Sequence, residues 1–169
     1  VEYKSNHKQA ISGFVLEYYQ TTNQSGPMHG LDFSEVKKTG GADDYYNNDW
    51  YPGWVHWGMS MANPLIASPI YNKDGDMTFK YNRVRAMHLG WSGDISSEWT
   101  YLAKLSYNKT WGTPFKPIPD ILENFSTFAS IIYTPRKWKG WRFNASIAFD
   151  TGEIYGDNLG CQLKVRKIF

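Results

Sequence analysis

The densest run of side chains able to do chemistry is Asp43-Asp44-Tyr45-Tyr46-Asn47-Asn48-Asp49-Trp50-Tyr51-Pro52-Gly53-Trp54-Val55-His56-Trp57-Gly58. Aromatic rings are interleaved there with amides and carboxylates. Such a set suits a sugar, because flat rings cover the C–H face of a pyranose while planar amides or carboxylates take its hydroxyls. Tyr and Trp also supply that contact area at low entropy cost. Tyr45, Tyr46, Asn47, Asn48, Trp50, Trp54 and Trp57 are therefore the candidate polysaccharide contacts. The competing reading is that the same rings fold the segment from within, since a long loop needs a small core to offset its ordering entropy. A split is expected: Trp50 and Tyr51 exposed beside the proline turn, Trp54 and Trp57 buried.

Other chemistry is thin. His7, His29, His56 and His88 are scattered, with no HExxH spacing for a metal. Asp43, Asp44 and Asp49 lack the spacing of an EF-hand. There is no GxSxG, P-loop or GxGxxG, so neither turnover, metal nor cofactor is expected. The single Cys161 excludes an intramolecular disulfide and a cysteine-based zinc cluster. Lys and Arg number 18 against 16 Asp and Glu, a net charge of +2 that is too balanced for a nucleic-acid partner. Aromatics make up 17% of the 169 residues, which excludes a disordered chain. No stretch approaches the roughly 18 uncharged apolar residues of a spanning helix.

The elements that must position these residues are strands. In Trp141-Arg142-Phe143-Asn144-Ala145-Ser146-Ile147-Ala148-Phe149 apolar and polar residues alternate, and residues 99–107, 123–133 and 159–169 repeat the pattern. Period two with aromatic and β-branched enrichment means strands with one apolar and one polar face. Only residues 31–38 suggest a short helical turn. Short connectors, 92–97 and 134–140, alternate with longer ones, 110–121 and 150–158, and aromatics gather near strand ends. That layout fits an outer-membrane barrel. It also fits an antiparallel sandwich whose apolar face packs on a second sheet. Strands of about 9–11 residues favour the barrel, since that length crosses a bilayer at a tilt. So does the aromatic Phe169, which resembles the terminal signal read by the barrel-assembly machinery.

Counting back from Phe169 places strands near 159–169, 141–149, 123–133, 99–109, 81–91 and 10–20. Closed bacterial barrels start at about eight strands, so the expectation is the C-terminal portion of a larger barrel whose N-terminal part lies elsewhere. Residues 159–169 should form a hairpin with 141–149, with Trp141, Phe143, Ile147, Leu163 and Phe169 facing lipid, and should not pair with 10–20. The 110–122 connector is then external, and residues 21–80 form one external or plug segment of about sixty residues, long enough to be functional. In this arrangement Arg83, Arg85, Lys104 and His88 are candidate lumen or plug residues.

Several stretches carry a resemblance: Gln24-Ser25-Gly26-Pro27, Asp44-Tyr45-Tyr46-Asn47-Asn48, Gly53-Trp54, Asn63-Pro64-Leu65, Asn82-Arg83-Val84-Arg85-Ala86-Met87-His88-Leu89-Gly90, and Tyr155-Gly156-Asp157-Asn158-Leu159-Gly160. In this order they resemble the capsule-assembly Wzi family of outer-membrane proteins, in its Bacteroidetes form. The resemblance implies a many-stranded outer-membrane barrel blocked by inward-folded external loops. It also implies a lectin role, holding capsular or surface polysaccharide at the cell surface, and no enzymatic activity. The other readings of the residues are a diffusion channel, with Arg83, Arg85 and Lys104 as selectivity charges, and a structural subunit of a surface complex.

Overall fold

The computed structural model describes residues 1–4, 9–23, 46, 54–61 and 63–169. Their strands are β1 (Glu2–Lys4), β2 (Gly13–Gln20), β3 (Val55–His56), β4 (Met59–Ser60), β5 (Val84–Asp94), β6 (Trp99–Gly112), β7 (Pro117–Tyr133), β8 (Trp141–Gly152) and β9 (Asn158–Lys167). There is one 3-10 turn, Pro69–Tyr71, and no α-helix among the described residues. The protein is all-β. Seven strands form an antiparallel sheet in the order β1-β2-β5-β6-β7-β8-β9, and β3 pairs with β4. β9 pairs with β8 and not with β2, so these seven strands do not close on themselves. The suggested helical turn at 31–38 lies outside the described residues.

Two connectors differ from expectation. The 110–122 loop is largely strand: β6 runs through Gly112 and β7 begins at Pro117. Pro117 and Pro119 read as loop residues, yet proline is tolerated at a strand's start, where its missing N–H breaks no ladder bond. The reversal takes only residues 113–116, closed by Thr113 N–H to the Lys116 carbonyl at 3.2 Å and Lys116 N–H to Thr113 Oγ1 at 2.9 Å. The 150–158 connector likewise shrinks to 153–157.

The chain forms two compact units. The first holds Val1–Tyr18, Met87–Tyr107 and Asn124–Phe169. It leaves many large apolar side chains exposed. Register places Ala129 opposite Ile147, and Ile147 opposite Cys161, with Ala145 opposite Leu163 and Phe149 opposite Leu159. Alternate residues share a face, so Trp141, Phe143, Ile147 and Leu163 lie together on an apolar one. That face is open, with Ile147 52% and Leu163 85% exposed. The other face is polar and is covered at β7, where Asn124 is 1% and Ser130 8% exposed, while Arg142, Gln162, Lys164 and Arg166 on the same face are exposed. Hydrogen bonding satisfies the covered groups, as buried polar groups require. Asn144 Nδ2 donates to Ser130 Oγ at 2.8 Å, Asn124 Nδ2 to Ser126 Oγ at 3.1 Å, and the Tyr155 N–H to Asn124 Oδ1 at 3.3 Å. No second sheet packs on the apolar face among the described residues, contrary to the sandwich alternative.

At one end of this unit the rings gather. Trp99 stacks on Tyr133 with centroids 4.4 Å apart, and Phe143 touches Tyr133, Trp138 and Trp141 at 6.2, 5.9 and 6.0 Å.

The second unit holds Tyr19–Ala86 and Asn108–Glu123. It buries apolar side chains in the ordinary way: Tyr46, Ile66, Phe79, Val84 and Ala86 form its core, with Tyr19, Val55 and Leu65 packed against them. The Tyr46 and Phe79 rings meet at 4.7 Å in a tilted pair, worth about 0.5–1.5 kcal/mol beyond area burial.

Candidate functional site

The site begins with a two-residue hairpin. Val55 pairs with Ser60 and His56 with Met59, leaving Trp57 and Gly58 to make the turn. Both have positive φ, 51° and 74°, the type I′ geometry that matches strand twist. Asn-Gly is the usual occupant of that turn. A tryptophan in the left-handed region costs on the order of 1–3 kcal/mol, and Trp57 is the only non-glycine residue with positive φ among the described residues.

Alternation sorts the hairpin's faces. Val55 packs toward the core, and the Ser60 N–H donates to Ser68 Oγ at 2.9 Å. Trp54, His56, Met59 and Met61 take the opposite, exposed side. The tip is fixed from below: the Ile70 N–H donates to the Gly58 carbonyl at 3.1 Å, and Met77 and Ile70 fill the space a Cβ on Gly58 would need. Trp57 therefore stands 85% exposed on a braced turn, with the His56 ring edge-on at 6.2 Å and Trp54 54% exposed behind it. Such a tip offers a flat ring for stacking and an imidazole for hydrogen bonding at its edge.

This reverses the expectation that Trp54 and Trp57 are buried. Val55 takes the core position, so Trp54 and His56 on either side point outward, and Trp57 is outward because it occupies the turn itself. Tyr46 goes the other way, 8% exposed in the core against Phe79. Its ring faces cannot be reached by a sugar, which removes it from the exposed set. Tyr45, Asn47, Asn48, Trp50 and Tyr51 lie outside the described residues. His56 and Tyr71, also exposed, were not among the candidate contacts.

The candidate lumen residues do not form one group. His88 Nδ1 lies 2.6 Å from Ser106 Oγ, on the polar face of its strand pair. Lys104 is exposed, two residues from Ser106 and so on the same face. Arg83 is half-buried, and its Nε donates to the Thr22 carbonyl at 3.2 Å. Arg85 is misplaced by the inward reading. It lies between buried Val84 and Ala86 on the opposite side of β5, with its guanidinium carbon 5.3 Å from the centre of the Trp111 ring.

A second polar feature follows the 3-10 turn. Asn72 Nδ2 donates to the Thr78 carbonyl at 2.8 Å, the Thr78 N–H donates to Asp76 Oδ1 at 3.0 Å, and Thr78 Oγ1 to Asp76 Oδ2 at 2.8 Å. Lys80 pairs with Asp74. The Lys80 ammonium holds the Asp74 carboxyl below its ordinary range, and the Thr78 hydroxyl does the same for Asp76. These contacts are internal to the loop. No cluster of three metal-ligating side chains is found among the described residues.

No family model, no curated protein and no solved structure matches the chain.

Proposed function

We propose that this protein is an outer-membrane β-barrel protein that binds capsular or surface polysaccharide through the exposed hairpin tip of its long segment. The observation that carries the binding reading is Trp57, held in a strained backbone yet 85% exposed. Strained residues held in place by their surroundings cluster at functional sites, and an exposed ring on a rigid turn loses little entropy on stacking.

The membrane reading rests on the first unit's open apolar face. Trp141 and Thr151 lie on the same face of β8, ten residues apart. That spacing is roughly 33 Å of strand, or about 25 Å of height at a tilt near 40°. The face is apolar between an aromatic cluster at one end and the Thr151–Asp157 hydrogen bond at the other, as an outer-membrane band is. In lipid a sheet edge cannot stay unpaired, so further strands are inferred beside β1 and β9.

The experiment is glycan binding by the protein in detergent or nanodiscs, read by array and calorimetry. Trp57→Ala should weaken binding by about tenfold or more, while Trp111→Ala, on a strand outside the hairpin, should leave it unchanged. Equal affinity for wild type and Trp57→Ala would overturn the assignment of this tip. Cys161, the chain's sole cysteine and exposed on the apolar face, tests insertion independently. A nitroxide there should be more accessible to oxygen than to a water-soluble nickel complex.

The channel reading is favoured by one feature, Lys104 and His88 on the polar face. It predicts conductance in planar bilayers, where a plugged barrel gives almost none.

A further inference from the structure

The chain is unevenly charged along its strands. The β7–β8 turn, residues 134–140, carries Arg136, Lys137 and Lys139 within four residues, and Lys167 joins them from the end of β9. Among the described residues none of these four makes an ion pair. Glu98, the nearby carboxylate, is occupied by backbone: its Oε1 accepts the Arg136 N–H at 2.7 Å.

The turn is braced. The Trp141 N–H donates to the Trp138 carbonyl at 3.1 Å, and the Ile168 N–H to the Gly140 carbonyl at 2.8 Å. Gly140 has φ 80°, and a Cβ there would collide with the Ile168 carbonyl. The cations are therefore presented on a fixed frame, and they border the apolar face directly. Lys167 Nζ sits 5.2 Å from the centre of the Trp141 ring and 4.8 Å from that of Phe169, while Trp138 is 59% exposed beside them. Arg142 and Arg166, paired across β8 and β9, lie on the polar face and are not part of this rim.

We infer that Arg136, Lys137, Lys139 and Lys167, with Trp138 and Trp141, form a headgroup site for anionic phospholipid. The inference rests on the membrane reading above, which places this rim at a lipid–water boundary. Trp settles there, Lys lays its stem along the apolar surface with its charge in water, and unneutralised cations beside an apolar band complement the phosphodiester charge of the headgroup. A zwitterionic headgroup gives no such net attraction, so the site selects phosphatidylglycerol over phosphatidylcholine.

The test uses the whole protein in phosphatidylcholine vesicles containing trace spin-labelled phosphatidylglycerol or phosphatidylcholine. Electron paramagnetic resonance reads the fraction of each immobilised at the protein. Phosphatidylglycerol should be preferred by about fivefold or more, since each basic residue near a headgroup contributes on the order of that factor. The preference should collapse toward unity in 1 M NaCl (a salt level at which the Debye length is about 3 Å) and in a variant carrying Lys137→Gln, Lys139→Gln and Lys167→Gln. The single variant Lys137→Gln, at an exposed position, should reduce it partly and guards against a folding defect. Equal immobilisation of both lipids by inserted wild-type protein overturns the headgroup site alone. Failure of the Cys161 nitroxide to report lipid contact overturns the membrane reading, and this inference with it.

Discussion

The two units differ in what they cover: the second encloses an apolar cluster together with polar side chains such as Asn82 and Thr110. The first covers few residues, Asn124 and Ser130 among them, and leaves large apolar side chains open. In the second unit Ile66 and Val84 are each 1% exposed, and the chain folds back so that Phe79 meets Tyr46. In the first, Asn124 is equally buried while Leu163 stands open. A strand fixes only that its neighbours alternate; which face turns away from solvent depends on what lies beyond the sheet. The second unit supplies its own apolar cover from Tyr46, Val55, Leu65, Ile66 and Phe79. The first covers Asn124 and Ser130 and satisfies them with Asn–Ser hydrogen bonds, while its apolar face stays open. One chain therefore uses water as the solvent for one unit and, on the proposed reading, lipid for the other.

The strongest way to break this contrast is to attack each unit by its own rule. Phe79→Ala should cost about 3–5 kcal/mol, from lost transfer energy and the cavity left beside Tyr46. Denaturant titration should show the loss, and hydrogen exchange should place it in residues 54–86. Next in size is Ile147→Arg, expected to cost about 2–4 kcal/mol in lipid vesicles if Ile147 sits near the bilayer midplane. Its partner variant Ser146→Arg, one residue along on the polar face, should cost far less. A neutral Ile147→Arg in vesicles would mean that the apolar face does not meet lipid.

Much of this architecture is legible in the alternation of residues 99–107 and 141–169, because a period of two needs no tertiary information to be read. The faces of β5 were legible as well: His88 and Arg85 are three apart and cannot share a side of one strand, so placing both in a lumen breaks the strand's own geometry. Other parts were hidden for physical reasons. β1 has three residues, too few to display a period. Pro117 and Pro119 carry a loop signal that strand starts and edges tolerate. The Trp57-Gly58 turn lacks the Asn-Gly or Asp-Gly signature, since a bulky residue at positive φ is disfavoured on local grounds alone. In a run as aromatic as 45–57, composition cannot say which ring the core takes. It takes Tyr46 because Phe79 closes over it from thirty-three positions along the chain, a contact that no local pattern encodes.

A smaller effect sharpens the polar side of the comparison. Asn124→Ala should cost about 1–3 kcal/mol, because Asn124 is fully buried and the Tyr155 N–H and Ser126 hydroxyl lose a partner without gaining water. Asn124→Asp keeps an acceptor for Tyr155 and should recover part of that. Faster hydrogen exchange at Tyr155 in the alanine variant, and not in the aspartate one, is the expected signature. Tolerance of Asn124→Leu at no cost would mean that the polar face behaves like an ordinary core.

The smallest effect lies in the loop after the 3-10 turn. Asp74 is held below its ordinary range chiefly by the Lys80 ammonium, and Asp76 chiefly by the Thr78 hydroxyl. Depressed carboxylates contribute ordering that is fully present above their unfolded-chain value and lost as pH falls through the lower folded value. Lys80 is shifted upward by the same Asp74 contact, so its share is present below the ordinary lysine range and lost as pH rises past the raised value. The loop should therefore hold its hydrogen bonds across neutral pH and loosen at both extremes, acid acting through Asp74 and Asp76, base through Lys80. All three groups are solvent-exposed, so the contribution to global stability is slight, and the readout must be local. The Thr78 amide chemical shift should titrate with a midpoint below that of a free aspartate, and Asp76→Asn should abolish the step while leaving the unfolding midpoint at pH 7 nearly unmoved. A midpoint at the free-aspartate value would show that the Asp76–Thr78 bonds do not persist in solution, and the hairpin tip would then be braced only by Ile70 and Met77.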